Sequence, residues 1–279
     1  MSKILFIIFP GLGSTIKHFK LNDINGRFYN NSNFLNTLKK MGDIYFVKHN
    51  WNNLNYYDKN ETDEKYLYEN NIDFNLEDMD VNNVCLKVYN DVKYFNGKFV
   101  LIGHSIGSIF LYNFSQKYST KCLCNFIIDG QLLGPFYTDK NMRNMLINKS
   151  KNVSNDKLLE LILKVKTNDN NSKELQNLQL IIGGYLENQV PINAKKIKVN
   201  TISFRNLQIN NDPSGHKYSN EHIQANIDME DYFYKNNPNK YRTIYLINKT
   251  HIPYWNKESR EIILDSIKCT IKCTIKSAF

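Results

Sequence analysis

The stretch FVLIGHSIGS, residues 99–108, constrains the fold more than any other part of the chain. Four apolar residues of strand character, Phe99 to Ile102, run directly into Gly103-His104-Ser105-Ile106-Gly107. Behind them come Ile109, Phe110, Tyr112, Asn113 and Phe114, which read as a helix. A strand that turns this sharply into a helix must hold one residue in a strained backbone conformation at its apex. Glycines two before and two after that residue remove the Cβ atoms that would clash. The apex is Ser105, with its Oγ raised over the end of a sheet and a helix N-terminus beneath it. The plain alternative is a glycine-rich strand-to-helix loop with no chemistry.

The remainder of the chain repeats the strand-then-helix rhythm. KILFIIF, residues 3–9, is a continuous apolar run of strand length. It predicts a strand buried on both faces, and hence a parallel sheet. Further strands are expected at Asp43 to Lys48, Asn125 to Ile128, Val199 to Phe204 and Arg242 to Ile247. Helices are expected at Asn33 to Lys40 and at Val81 to Phe95, where Val84, Val88, Val92 and Phe95 recur at helical spacing. A terminal helix carries Ile262, Ile263, Ile267 and Ile271. The fold class is therefore α/β, a mostly parallel central sheet with helices on both faces. Residues 131–197 break the rhythm. Leucine-rich helical patterns there, such as Leu158 to Leu163, are separated by Asn-rich breaks, as in a helical insertion. The expected organisation is a core of residues 1–130 and 198–279 with a helical insertion at 131–197. Trp51 to Asp80, Asn-rich and acidic, reads as a long surface excursion.

Composition removes several function classes. The 279 residues are 42% hydrophobic and 23% charged, which suits a globular chain with a core. No apolar run approaches the ~20 residues of a membrane span, nor the length of a signal-peptide apolar region. The expected compartment is the cytosol. The net charge of +9 invites a nucleic-acid reading. The lysines, however, are scattered among acids without a block of like charge, and codon bias in an AT-rich genome explains the excess of Lys, Asn, Ile and Tyr. Five cysteines at irregular spacings, with no histidine cluster beside them, predict reduced thiols and neither a disulfide framework nor zinc.

Three places, in this order along the chain, resemble the α/β-hydrolase fold superfamily of the serine esterase, lipase and thioesterase kind. They are Phe9-Pro10-Gly11-Leu12-Gly13, Gly103 to Gly107, and Thr250-His251-Ile252-Pro253. The resemblance implies a compact form that begins at the third family strand. It implies Ser105 as nucleophile and His251, beyond the last strand, as the base that takes its proton. It implies oxyanion-hole N–H groups from Ile106 and Leu12, and an insertion over the site whose apolar side chains line an acyl pocket. The third member of such a triad orients the imidazole. The family places it after the strand before the histidine strand, where Asp212 stands. Asp129, after the strand ending at Ile128, is the alternative position, and Asp228, Asp231 and Glu221 follow. His104 reads as a packing residue.

The implied function is hydrolysis of a carboxylic ester or thioester of a small or lipid acyl group through an acyl-enzyme on Ser105. No cofactor or metal is implied. The implied partner is a small-molecule or lipid acyl ester, with no nucleic acid and no stable membrane insertion. An acyltransferase or amide hydrolase on the same fold, and a catalytically silent binding protein, are the competing classes.

Overall fold

The computed structural model describes residues 3–11, 14, 19, 34–47, 80–130, 183, 197–207, 220–247 and 251–276. Leu12, Gly13, Asp212 and nearly all of the expected cap at 131–197 lie outside the described residues. Among the described residues six strands, β1 (Lys3–Phe9), β2 (Asp43–Phe46), β3 (Gly97–His104), β4 (Cys122–Ile128), β5 (Thr201–Asn206) and β6 (Tyr241–Leu246), form one sheet. Its order is β2-β1-β3-β4-β5-β6, and every neighbouring pair is parallel. The helices are α1 (Phe34–Lys39), α2 (Val81–Val92), α3 (Gly107–Lys117), α4 (Asn220–Asn236) and α5 (Lys257–Lys276).

The apolar runs are explained by which face each residue serves. Successive side chains of a strand point to opposite faces. In β1, Leu5, Ile7 and Phe9 join a core with α2, α3 and α4, while Ile4, Phe6 and Ile8 join a second core with α1 and α5. In β3, Phe99 and Leu101 divide from Val100 and Ile102 in the same way. With both faces covered, neither strand has a polar side to show. Each fully buried Phe, Leu or Ile contributes roughly 1.5–3 kcal/mol.

Pairing partners, more than local sequence, set the strand ends. β3 begins at Gly97, two residues before its apolar run, because Lys3 to Phe9 of β1 pair with Gly97 to Gly103. β5 continues past Phe204 through Arg205 and Asn206, which pair with Tyr245 and Leu246 of β6. Helix α2 starts at Asp80, whose side chain accepts from the N–H groups of Asn82 (2.8 Å) and Asn83 (3.0 Å), and it ends at Val92, before the expected Phe95. Helix α4 has no counterpart in the sequence reading. Its buried positions, Ala225, Asn226, Met229, Glu230 and Phe233, include two polar residues, which breaks the apolar stripe.

The contact that sets the sheet against α3 is a backbone one. A Cβ on Gly107 would stand 2.1 Å from the Phe9 carbonyl oxygen and 2.7 Å from that of Pro10. Gly107→Ala therefore has to push α3 away from the end of β1. It is expected to lower stability by about 3 kcal/mol, a fall in Tm of roughly 6–12 °C for a chain of this size. Thermal unfolding of the variant checks this, and an unchanged Tm contradicts it.

Candidate active site

The apex of the turn between β3 and α3 is strained as its spacing implies. Ser105 has φ 51, a left-handed conformation that a non-glycine residue adopts at a cost of about 1–3 kcal/mol. Three hydrogen bonds hold it there. The Ser105 N–H donates to the Ile128 carbonyl (3.1 Å). The Ser105 carbonyl accepts from the Ser108 N–H (3.0 Å) and from the Ser108 hydroxyl (2.7 Å). From Phe99 to Ser115 every residue but Ser105 is buried, so this one side chain meets solvent in an otherwise closed stretch. Ile106 is the N-cap of α3 and makes no side-chain capping bond, while its carbonyl accepts from the Ile109 N–H at 3.1 Å. Gly11 passes directly over the apex. A Cβ there would lie 3.1 Å from Ser105 Cβ and 3.0 Å from His104 Nδ1.

His251 follows β6 and comes to the same end of the sheet. The His104 Nε2–H, next to the apex in sequence, donates to the His251 carbonyl oxygen at 3.0 Å, and the two rings lie 5.1 Å apart. His104 thus does more than the packing assigned to it from sequence, because it ties the turn to the His251 segment. Its ring also meets Tyr254 edge-on at 5.4 Å.

The carboxylate facing the imidazole is that of Asp129, with Oδ2 2.6 Å from His251 Nδ1. Asp212, the first choice from sequence, lies outside the described residues, and the contact to the imidazole is made by the alternative position, Asp129. The imidazole has one Nδ1–H to give, and Asp129 accepts it. Asp129 ends β4, also at positive φ (43°), which turns its side chain back across the strand ends. It is fully buried. Burial alone raises a carboxyl pKa. Here the hydrogen bond and charge of His251, the Arg205 guanidinium and the Asn206 N–H outweigh burial and hold Asp129 below its ordinary value. Asn206 N–H lies 3.3 Å and Arg205 Nη1 3.7 Å from Oδ1.

Behind Asp129 stands a pair that sequence reasoning missed. Arg205, 1% exposed, donates through Nε (3.0 Å) and Nη2 (2.8 Å) to Glu230 Oε1 of α4, and through Nη1 to the Gly130 carbonyl (2.5 Å). Glu230 also accepts from Ser203, Tyr241 and Thr243, each at 2.8 Å. An arginine straight after an apolar strand run was the available signal. Asp228 and Asp231, ranked as further acid candidates, lie on the same helix with exposed side chains, and Asp228 accepts from Gln224. The side chain of Glu221 lies outside the described residues. Among the described residues no group of His, Cys, Asp and Glu side chains could hold a metal ion, and no helix is long and apolar enough to cross a membrane.

No protein-family model and no curated protein sequence matches this chain. Solved structures do. A lipase-esterase related protein from Clostridium acetobutylicum superposes with a TM-score of 0.51 at 12% identity, covering 96% of this chain and 95% of that one. A structure described under carboxylesterases of the thaumarchaeon Nitrososphaera gargenis gives 0.51 at 12% identity, over 97% and 92%. A hydrolase from Oleispira antarctica gives 0.52 at 12% identity, over 94% and 90%. The chain has the α/β-hydrolase fold. The six parallel strands agree with the expected parallel α/β sheet.

His222, at the start of α4, senses the same charges. Burial pushes its imidazole down to about 4, Asp129 opposing and Arg205 and His251 reinforcing the shift. The unfolded chain takes up this proton near pH 6.5 and the folded chain only near 4. Across that window the unfolded state binds more protons, so stability falls as the pH drops from 6.5 to 4. His222→Gln is expected to flatten that part of the Tm-against-pH curve. An unchanged slope between pH 6.5 and 4 contradicts the prediction.

Proposed function

We propose that this protein is a serine hydrolase that cleaves a carboxylic ester or thioester of a small or lipid acyl group. The observation that carries the reading is the 2.6 Å contact between His251 Nδ1 and Asp129, at the sheet end where strained Ser105 is raised. An Asp-bound Nδ1–H leaves Nε2 of the ring as the basic atom. In the proposed reaction His251 Nε2 takes the Ser105 proton as Oγ bonds to the acyl carbon. Negative charge moves to the former carbonyl oxygen, where the N–H groups of Ile106 and Leu12 receive it. The imidazolium returns the proton to the departing alcohol or thiol. Water then repeats the sequence in reverse on the acyl-enzyme, releasing the acid and restoring Ser105. Solved structures of the same fold described as lipase-esterase related, carboxylesterase and hydrolase support the ester class. The stretch at 131–197, between β4 and β5, is proposed as a cap whose apolar side chains receive the acyl group.

A fluorophosphonate probe is expected to label the protein, with Ser105 as the modified residue. Ser105→Ala and His251→Ala should each lower kcat/KM on a p-nitrophenyl ester at least a thousand-fold. The double variant should be no worse than either, because members of one catalytic unit are strongly non-additive. Asp129→Asn should lower kcat by about a thousand- to ten-thousand-fold, whereas Asp212→Asn should stay within a few-fold of the parent. Labelling that persists in Ser105→Ala rejects the nucleophile. A larger loss in Asp212→Asn than in Asp129→Asn returns the acid to the loop after β5.

A further inference from the structure

We propose that Arg205 and Glu230 are positioning residues that set the basicity of His251 through Asp129. The inference rests on the hydrolase reading for its functional meaning but not for its physics. The three charged side chains form one buried chain of contacts. Asp129 Oδ1 is 3.7 Å from Arg205 Nη1, and Arg205 Nη2 is 2.8 Å from Glu230 Oε1. All three are buried, so solvent and salt screen them little. Two carboxylates against one guanidinium leave one negative charge while His251 is neutral. When His251 is protonated the buried group becomes electrically neutral. Glu230 favours the imidazolium, the form the base takes once it has accepted the Ser105 proton, and Arg205 opposes it, so the balance of the two sets the basicity.

Arg205 also fixes where Asp129 sits. Its Nη1–H donates to the Gly130 carbonyl, so the guanidinium grips the backbone immediately after the acid while its charge faces the acid's Oδ1. Glu230 keeps the guanidinium from closing fully onto Asp129. A fork that gave both N–H groups to Asp129 would compete with His251 for the carboxylate. Instead Glu230 takes Nε and Nη2, and Oδ2 of Asp129 stays with the imidazole. Among the described residues, the titratable and charged groups around His251 are His104 from β3 and Asp129 just after β4, with His222 from α4 coupled to it by charge, and behind Asp129 stand Arg205 from β5 and Glu230 from α4. His222 is neutral near pH 7, so the Asp129, Arg205 and Glu230 charges dominate there.

Opposite substitutions should then act with opposite sign. Glu230→Gln removes a negative charge and should lower the His251 pKa by roughly 0.5–1 pH unit. Arg205→Gln removes a positive charge and should raise it by a similar amount. The double variant Arg205→Gln/Glu230→Gln keeps the net charge of the parent and should bring the pKa back to within about 0.3 unit. The readouts are the His251 imidazole titration by NMR of histidine-labelled protein and the acid limb of the kcat/KM profile on a p-nitrophenyl ester. Shifts of one sign in both single variants, or none in either, overturn the proposal, since a merely structural role has no reason to follow charge. Removing one member of a buried ion pair can prevent folding, whereas removing both is often tolerated. If only the double variant folds, its His251 pKa must match the parent's to within about 0.3 unit, and a larger departure overturns the proposal. Failure of the hydrolase reading shows separately, as absence of fluorophosphonate labelling at Ser105. The imidazole titration decides the charge coupling in either case.

Discussion

A carboxylate with no exposure to water is the constraint around which this site is organised. Asp129 is fully buried at the end of β4, and an isolated charge there is strongly disfavoured. Three groups make it tolerable: the His251 imidazole at 2.6 Å, the Asn206 N–H at 3.3 Å and the Arg205 guanidinium at 3.7 Å. They come from two parts of the chain distant from Asp129 in sequence. His251 follows β6, Asn206 and Arg205 end β5, and Arg205 is itself held by Glu230 of α4. Satisfying one charge thus draws three strand ends and a helix to one place. The positive φ of Asp129 is the local cost of aiming its side chain into that convergence.

The sheet supplies the other half of the arrangement. In an open parallel sheet, functional groups gather at the carboxyl ends of the strands. Here Gly11, Ser105, Asp129 and His251 all follow such ends. The close approach of Gly107 to the backbone of Phe9 and Pro10 sets α3 against β1, and Gly11 then lies over Ser105. Ser105 is held on one side by the Ile128 carbonyl and on the other by Ser108. The same strand β4 therefore bonds the apex residue through Ile128 and carries the acid one residue later. The position of the apex and the position of the acid share a single support.

How much of this the sequence carried depends on whether the information was local. The strand-turn-helix at 99–108 is local, and Ser105 could be read from glycine spacing alone. β1 and β3 were legible because burial on both faces leaves a continuous apolar run. His251 came from its place beyond the last strand and from the resemblance. Which carboxylate meets His251 was not legible beyond a choice of candidates. β4 and β5 are neighbours in the sheet, Asp129 follows the first in sequence and Asp212 the second, and no local pattern separates them. Helix α4 was missed for a related reason. Asn226 and Glu230 occupy its buried face, and in sequence they look like solvent-facing positions. Glu230 is inside because Arg205 is inside, and that pairing spans 25 residues. Polar residues placed for one another across the fold erase the periodicity that would announce the element bearing them.

The location of the acid and the identity of the last residues of β5 belong together. The end of β5 is filled by a buried arginine whose fork points to Glu230 on one side and toward Asp129 on the other. A buried guanidinium there needs negative partners, and β4, directly alongside, provides one at its own end. Buried ion groups of this kind are poor sources of net stability, because desolvation of each charge offsets most of their attraction. Well-packed apolar residues of similar volume would serve the core at least as well. Their charges differ from an apolar filling in one respect that bears on chemistry: they respond to a proton on His251. With the imidazole neutral the group carries an unbalanced charge, and with the imidazole protonated it does not. Asp129 and Glu230 favour the protonated state of His251 and Arg205 opposes it, and that ties the packing of β5 and α4 to the chemistry proposed for Ser105.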